Sequence, residues 1–341
     1  MSKPKIAIYW CASCGGCEEA VVDLAEDILG VVEAVDIVLW PCAMDFKKSD
    51  VQAMPDGSIV ATLLNGAIRS SEQEEMAHLL RRKSRYMIAY GACAHTGGIP
   101  GLANQFTREQ MLRYVYEECP TVVNPERIHP RPHSKENGWS FELPELHNRV
   151  RALDQVVRVD YYVPGCPPTP AITKAAIGAL LSGELPPVGS VLAPDYALCE
   201  QCKRKASKPE NVSFVGFKRP HEVPLDPEKC FLAQGVICMG PATRAGCEAV
   251  CISGNMPCSG CFGPTSRVRD QGAKALSSFC ANVAPKTEDE IDEVLAGIPD
   301  PVGTFYRYGL ARSTLRGAIT EPAAQSASKG SLSRVSPKTC C

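Results

Sequence analysis

No apolar run in the 341 residues is long enough to cross a bilayer, which excludes a helical membrane span. The formal net charge is only −2, so nothing in the charge balance points to nucleic acid as a partner. No strand-like run leads into Gly-x-Gly-x-x-Gly, which leaves no dinucleotide site, and no internal repeat of fixed period is present. The opening Met1-Ser2-Lys3-Pro4-Lys5 shows neither a signal peptide nor a twin-arginine leader, so the expected location is the cytoplasm. No acid–base pair or activated nucleophile of the chain's own stands out.

Cysteine, by contrast, is abundant: the chain carries 18. In a reducing compartment thiols stay free or bind metal, so metal is the expected use and disulfides are not. With 45% hydrophobic residues the chain can bury a full core, and its length suits two domains.

Residues 5–10, 35–40, 58–64, 85–90 and 157–163 are short runs rich in Val, Ile, Leu, Tyr and Trp and read as buried strands. Helical patterns lie between them at 18–29, 70–83 and 107–118. The last two open with capping-box spacing, Ser70-Ser71-Glu72-Gln73 and Thr107-Arg108-Glu109-Gln110. Such alternation predicts a parallel sheet covered on both faces. Loops 41–50 and 120–142 read as irregular, the second as a proline-bearing surface insertion. A further helix is expected from the N-cap Thr169 and Pro170 to Ser182, with Gly183 as its stop. Residues 184–198, with Pro186, Pro187 and Pro194, read as a linker. From Cys199 to Pro264 cysteine, glycine and proline replace the periodic pattern, and a metal core can stand in for a hydrophobic one there. Helical patterns return at 266–282 and 287–296, and the tail from Glu321 to Cys341 reads as disordered.

The run Cys11-Ala-Ser-Cys14-Gly-Gly-Cys17 sits on a strand-to-helix turn, where glycine lets the main chain approach a soft metal centre closely. In an open parallel sheet, ligands gather at the carboxyl ends of the strands. Cys14 and Cys17 follow the first strand, Cys93 the strand 85–90, and Cys166 the strand 157–163. Four thiolates at one edge suit tetrahedral zinc or an iron–sulfur cluster, and one local pair joined by two distant single cysteines favours the cluster.

Three segments, Cys14-Gly-Gly-Cys17, Gly91-x-Cys93-Ala94-x-x-Gly97-Gly98 and Pro164-Gly165-Cys166-Pro167-Pro168, together resemble the small subunit of NiFe hydrogenases. That family shares its fold with the 20-kDa subunit of respiratory complex I. The resemblance implies a flavodoxin-like doubly wound parallel sheet and a proximal 4Fe–4S cluster on Cys14, Cys17, Cys93 and Cys166. Complex I relatives place two adjacent cysteines where this chain has the spaced pair Cys14 and Cys17, which favours the hydrogenase branch. Cys11 and Cys42 are not explained by the pattern and read as small packing residues, although a ferredoxin-like run 11–14–17 completed by Cys42 or another thiol stays open. Asp45 reads as a neighbour of the site rather than a ligand. His95 either donates to a cluster sulfur or is a solvated loop residue.

Between Cys199 and Cys261 lie cysteines 199, 202, 230, 238, 247, 251, 258 and 261, eight in all, the ligand count for two 4Fe–4S clusters. The stretches Cys230–Cys247 and Pro257–Pro264 resemble small subunits of cytoplasmic hydrogenases from methanogens and their bacterial relatives. By that likeness Cys199, Cys202, Cys230 and Cys238 hold a distal cluster, and Cys247, Cys251, Cys258 and Cys261 a medial one. Two structural zinc sites are the alternative, since Cys199-x-x-Cys202 and Cys258-x-x-Cys261 are also zinc-knuckle spacings. Cys119 and Cys280 read as packing residues, and Cys340 and Cys341 as tail.

The resemblance thus implies the gamma, or electron-transfer, subunit of a NiFe hydrogenase: an oxidoreductase component with no catalytic residue of its own. Three 4Fe–4S clusters would relay electrons from the nickel–iron site of a partner large subunit to an acceptor subunit. The acceptor types implied are heterodisulfide-reductase-linked, deazaflavin-reducing or NAD(P)-reducing, with the motif wording nearest the heterodisulfide-reductase-linked, methyl-viologen-reducing type. The expected organisation is 1–184 for the flavodoxin-like domain, 185–317 for a cysteine-rich domain with little regular structure plus C-terminal helices, and 318–341 for the tail. A complex I-like quinone oxidoreductase subunit and a zinc-stabilised structural protein are the rival readings.

Overall fold

The computed structural model describes residues 3–284, 287–298 and 300–315. Five strands form the central sheet: β1 (Lys5–Trp10), β2 (Asp36–Leu39), β3 (Ile59–Asn65), β4 (Ser84–Tyr90) and β5 (Tyr161–Val163). All pair in parallel, in the order β2-β1-β3-β4-β5. This is the flavodoxin-like strand order, as the resemblance implies. The pleat sends successive side chains to opposite faces. Ala7, Leu64, Met87 and Ala89 pack into one hydrophobic cluster, while Ile8, Leu63, Ile88 and Tyr90 pack into another. Both faces are therefore buried, which is why these strands read as continuous apolar runs.

Helix Ser71–Lys83 covers the first face through Met76, Ala77, Leu79 and Leu80. Ser70 and Gln73 form its capping box, and Arg81, Arg82 and Lys83 close it with positive charge at the carbonyl end. Helix Pro170–Ser182 covers the second face through Ile172 and Ala176. Its N-cap is Thr169, and Gly183 (φ 74°) ends it in the left-handed conformation.

Several local expectations are corrected. The helix expected over 18–29 is two, Gly16–Val22 and Asp27–Ala34, separated by a turn in which Ala25 takes φ 51°. Within the irregular stretch 41–50 begins a short helix, Lys48–Ala53. The insertion 120–142 contains a hairpin, His133–Glu136 paired with Trp139–Glu142. Its turn residues Asn137 (φ 52°) and Gly138 (φ 83°) both lie in the left-handed region, the two-residue geometry that matches strand twist. The strand expected over 157–163 is only three residues long, preceded by a turn at Leu153–Gln155. Residues 107–118 form helix Arg108–Arg113 followed by one wider turn, Tyr114–Glu118.

The stretch 184–198 is not a free linker. Tyr162 donates its N–H to Ser190 and accepts from Leu192 N–H at 2.8 Å, so 190–192 extends the sheet beyond β5. Beyond Leu198 the backbone runs in short turns and isolated bridges, broken by the single-turn helix Val250–Ser253, until helix Gln271–Cys280 and helix Glu288–Ala296. This half has a hydrophobic core of its own: Phe214, Phe217, Phe279 and Phe305 stack with ring centroids 5.0–6.0 Å apart, and Cys238 and Cys258 pack among them. The expectation that metal would stand in for a hydrophobic core here is thus corrected: an apolar core is present. Phe262, 1% exposed, leaves this half and buries itself against the second face of the sheet beside Ile172 and Tyr90. The tail residues 318–341, with Cys340 and Cys341, lie outside the described residues.

Candidate functional site

The carboxyl ends of three strands carry the first set of thiols. β1 runs into Cys11 and the turn of Cys14, and Gly15 (φ 86°) starts the helix whose first turn holds Cys17. β4 ends at Gly91 (φ 86°), which starts the short helix Ala92–Thr96 bearing Cys93. β5 ends before Gly165 (φ 130°) and Cys166. The Cys17 thiol lies within electrostatic reach of Cys93, Cys166 and Cys14, and Cys93 within reach of Cys166 and Cys14. Cys166 in turn feels Cys14. Each of the four thus neighbours the other three. Cys14 is exposed, Cys17 and Cys93 are buried, and Cys166 is half-buried. Burial, ahead of the neighbouring thiols, pushes the Cys17 and Cys166 thiols up and Cys93 up to about 12.

Two glycines shape this set. A Cβ on Gly98 would stand 2.5 Å from the Cys93 sulfur, and one on Gly91 would collide with the sulfur of Cys17. Both have positive φ, so conformation and space together demand glycine.

The second half holds two further sets. Cys199 lies in reach of Cys238, Cys202 and Cys230; burial pushes it up to about 12 and Cys238 up to about 11. Gly240 and Cys258 donate backbone N–H groups to the Cys238 sulfur. Cys261 lies in reach of Cys247 and Cys251, and Cys258 in reach of Cys261. Burial pushes Cys261 up to about 12, and N–H groups of Ala249 and Val250 serve Cys247.

The three sets lie within electrostatic reach of one another in series. Cys166 of the first donates its N–H to the Cys261 sulfur of the second, and these two thiols feel one another. Cys258 of the second feels Cys238 of the third, and Met239 donates its N–H to the Cys258 carbonyl at 2.9 Å. Among the described residues no three or more His, Cys, Asp or Glu donors close tightly enough on one point to hold a single metal ion.

The remaining cysteines stand apart. Cys11 is buried in the cluster of the first face with Leu64 and Ala77, and its thiol feels Glu72 rather than the four. Cys42 and Asp45 are exposed. Cys280 is exposed and Cys119 half-buried, with its sulfur 3.4 Å from the Thr121 hydroxyl, so neither packs in the core. His95 is not a solvated loop residue. It is 6% exposed, stacks on Tyr162 at 4.7 Å, and burial and the nearby Arg312 and Arg244 push it down to about 3, a neutral ring.

One residue escaped the motif reading. Glu18, next to Cys17, is buried, and its carboxylate accepts from the Trp40 indole N–H and, at 2.5 Å, from Asn65 Nδ2. Burial raises its pKa above the usual carboxylate value while both donors oppose the shift. An acidic residue at a helix start reads as solvated, so only the apolar Val21, three residues on along the same face, hinted at burial.

The fold and its thiol-bearing edge define the class: the sequence model of the NADH ubiquinone oxidoreductase 20-kDa subunit family matches residues 14–180. Among curated proteins the chain is similar to the iron-sulfur subunit of the F420-non-reducing hydrogenase of Archaeoglobus profundus, 39% identical over 309 residues, covering 90% of this chain and 96% of that one. It is similarly close to a subunit of the F420-non-reducing hydrogenase of Methanothermobacter thermautotrophicus, 38% identical over 312 residues, 90% and 94% of the two chains. A chain of the crystal structure of NAD+-reducing [NiFe]-hydrogenase in the H2-reduced state is 31% identical with a TM-score of 0.46, covering 53% of this chain and 92% of that one. The chain belongs to the family of these F420-non-reducing hydrogenase iron-sulfur subunits: it is a hydrogenase subunit, a component of an oxidoreductase.

Proposed function

We propose that this subunit relays single electrons through three 4Fe–4S clusters. The first would be held by Cys14, Cys17, Cys93 and Cys166, the second by Cys247, Cys251, Cys258 and Cys261, and the third by Cys199, Cys202, Cys230 and Cys238. The observation that carries the reading is the serial arrangement of three all-thiol sets, with Cys166 in electrostatic reach of Cys261 and Cys258 in reach of Cys238. Bound clusters would supply one-electron carriers, with potentials set by burial and hydrogen bonds to sulfur. The chain's residues fit them: all donors are thiols, glycines clear the sulfurs of Cys17 and Cys93, and main-chain N–H groups aim at those of Cys238, Cys247 and Cys261. Raised thiol pKa values mean that loading with iron releases protons.

The exposed Cys14 marks the edge where a nickel–iron large subunit would face the first set. Electrons would leave from the third set to an acceptor subunit. The relatives' name, F420-non-reducing, sets aside the deazaflavin acceptor for them, so the heterodisulfide-reductase-linked type is the reading we retain. The hydrogenase relatives at this identity also outweigh a quinone-reducing, complex I-like role. No described helix is long and apolar enough to cross a membrane, and we place the complex in the cytoplasm.

Anaerobic purification with iron, sulfide and zinc analysis tests the reading; three clusters require about twelve iron per chain. Two or three zinc without sulfide would sink it. Cys166→Ser should interrupt electron flow while the signals of the other two clusters persist in low-temperature EPR. Unchanged signals from all clusters would overturn the assignment of the first set.

A further inference from the structure

A cavity of about 230 Å³ opens beside the third thiol set. Cys238 forms part of its wall, and Phe214, Met239 and Phe279 give it an apolar floor. Lys208 and Lys274 stand on its rim with a single carboxylate, Glu210. Both lysines are exposed, and neither has a carboxylate within ion-pair distance among the described residues. The nearby pairs Lys205–Glu200 and Lys229–Asp226 cancel their own charge. The ammonium of Lys208 is close enough to lower the Cys199 thiol against its burial.

Size decides what could fit. Pockets for drug-sized ligands run from about 300 to 1,000 Å³. A smaller one with an aromatic floor suits a single inserted apolar side chain, and unpaired cations flanking it suit carboxylates on either side of that side chain. We propose that this cavity docks the electron acceptor, a protein with an acidic surface that seats one apolar side chain between Lys208 and Lys274. The inference rests on the relay reading, in which the third set is the exit. Docking here would bring the acceptor against the wall that contains Cys238. Charges on an interface rim act chiefly on the rate of encounter and its dependence on salt.

The test compares two surrogate acceptors of opposite charge under hydrogen, an acidic plant-type ferredoxin and the basic mitochondrial cytochrome c, with this subunit bound to its large subunit and freed of the acceptor subunit. With unaltered protein at low ionic strength, ferredoxin reduction should be the faster and should fall with added salt. In Lys208→Glu/Lys274→Glu the ratio of ferredoxin to cytochrome rates should drop about tenfold or more, and Lys208→Ala/Lys274→Ala should fall between. Ala275→Phe, which fills the floor from a buried position, should slow ferredoxin reduction without altering its salt dependence. A ratio that charge reversal leaves unmoved, in a complex that still reduces both acceptors, overturns the docking face alone. Unaltered protein that reduces neither acceptor and holds no sulfide overturns the relay and this inference with it.

Discussion

The two halves of the molecule support their thiols differently. In the sheet half, Cys14, Cys17, Cys93 and Cys166 stand on turns at the ends of strands whose ladders pair without them. In the second half, 199–264 has turns and isolated bridges in place of ladders, and Cys238 and Cys258 are themselves members of the core. Cys17 and Cys93 are buried too, but the first half has a strand ladder that pairs without them. Among the described residues, the second half has no such ladder beside its thiols.

Removing iron with an anaerobic chelator should separate the halves most strongly. Hydrogen exchange of residues 199–264 should rise toward the unfolded rate while β3 and β4 stay protected. Equal loss in both halves, or continued protection of 199–264 by its phenylalanine cluster, would break the contrast.

Phe262→Ala comes next. A fully buried aromatic exchanged for alanine costs about 3–5 kcal/mol, and its ring joins the second half to the sheet. Urea unfolding should turn from one transition into two; a single transition shifted by less than about 1 kcal/mol, well under that range, would show that the ring does not couple them.

Gly98→Ala is smaller in stability and local in reach. Strain at a left-handed position costs about 1–3 kcal/mol, and the methyl would press on the Cys93 sulfur. The EPR signal of the first cluster should be lost or altered while the other two remain, sharpening the independence of the sheet-half site.

Glu74→Gln should show the least effect. Glu74 holds Arg151 through two hydrogen bonds, 3.1 and 2.6 Å, and also faces His147. The Arg151 hydrogen bond leads the causes that hold its carboxyl below the usual range. Its share of stability is therefore present above the unfolded carboxylate pKa and is lost as pH falls through the lower folded value. Replacement should cost about 0.5 kcal/mol at neutral pH and flatten that acid-side slope in urea melts. An unchanged slope would show that the pair does not act in solution.

Strands were legible because burial on both faces writes an unbroken apolar run, as in Ile59–Asn65. Capped helices were legible because Ser70, Thr107 and Thr169 announce themselves. The break after Val22 was not, since Leu24-Ala25-Glu26 contains no glycine or proline and the turn is imposed from outside the local sequence. The hairpin at 133–142 escaped because both strands face solvent and only the short second one, Trp139-Ser140-Phe141-Glu142, alternates, although Asn137-Gly138 carried the turn signal. Prolines made 184–198 read as linker, yet Ser190 and Leu192 between them keep the groups that extend the sheet edge. Within the site, motifs named the thiols, while Glu18 depended on Trp40 and Asn65, distant partners that spacing cannot reveal.

Cys261 belongs to two neighbourhoods at once: it feels Cys247 and Cys251, takes the N–H of Cys166, and packs against the sheet's second face. A disturbance at the middle set is therefore also a mechanical one, passed through a single sulfur to the turn that carries the first. In the relay proposed above, Cys261 would be the one ligand of the second station that also borders the first.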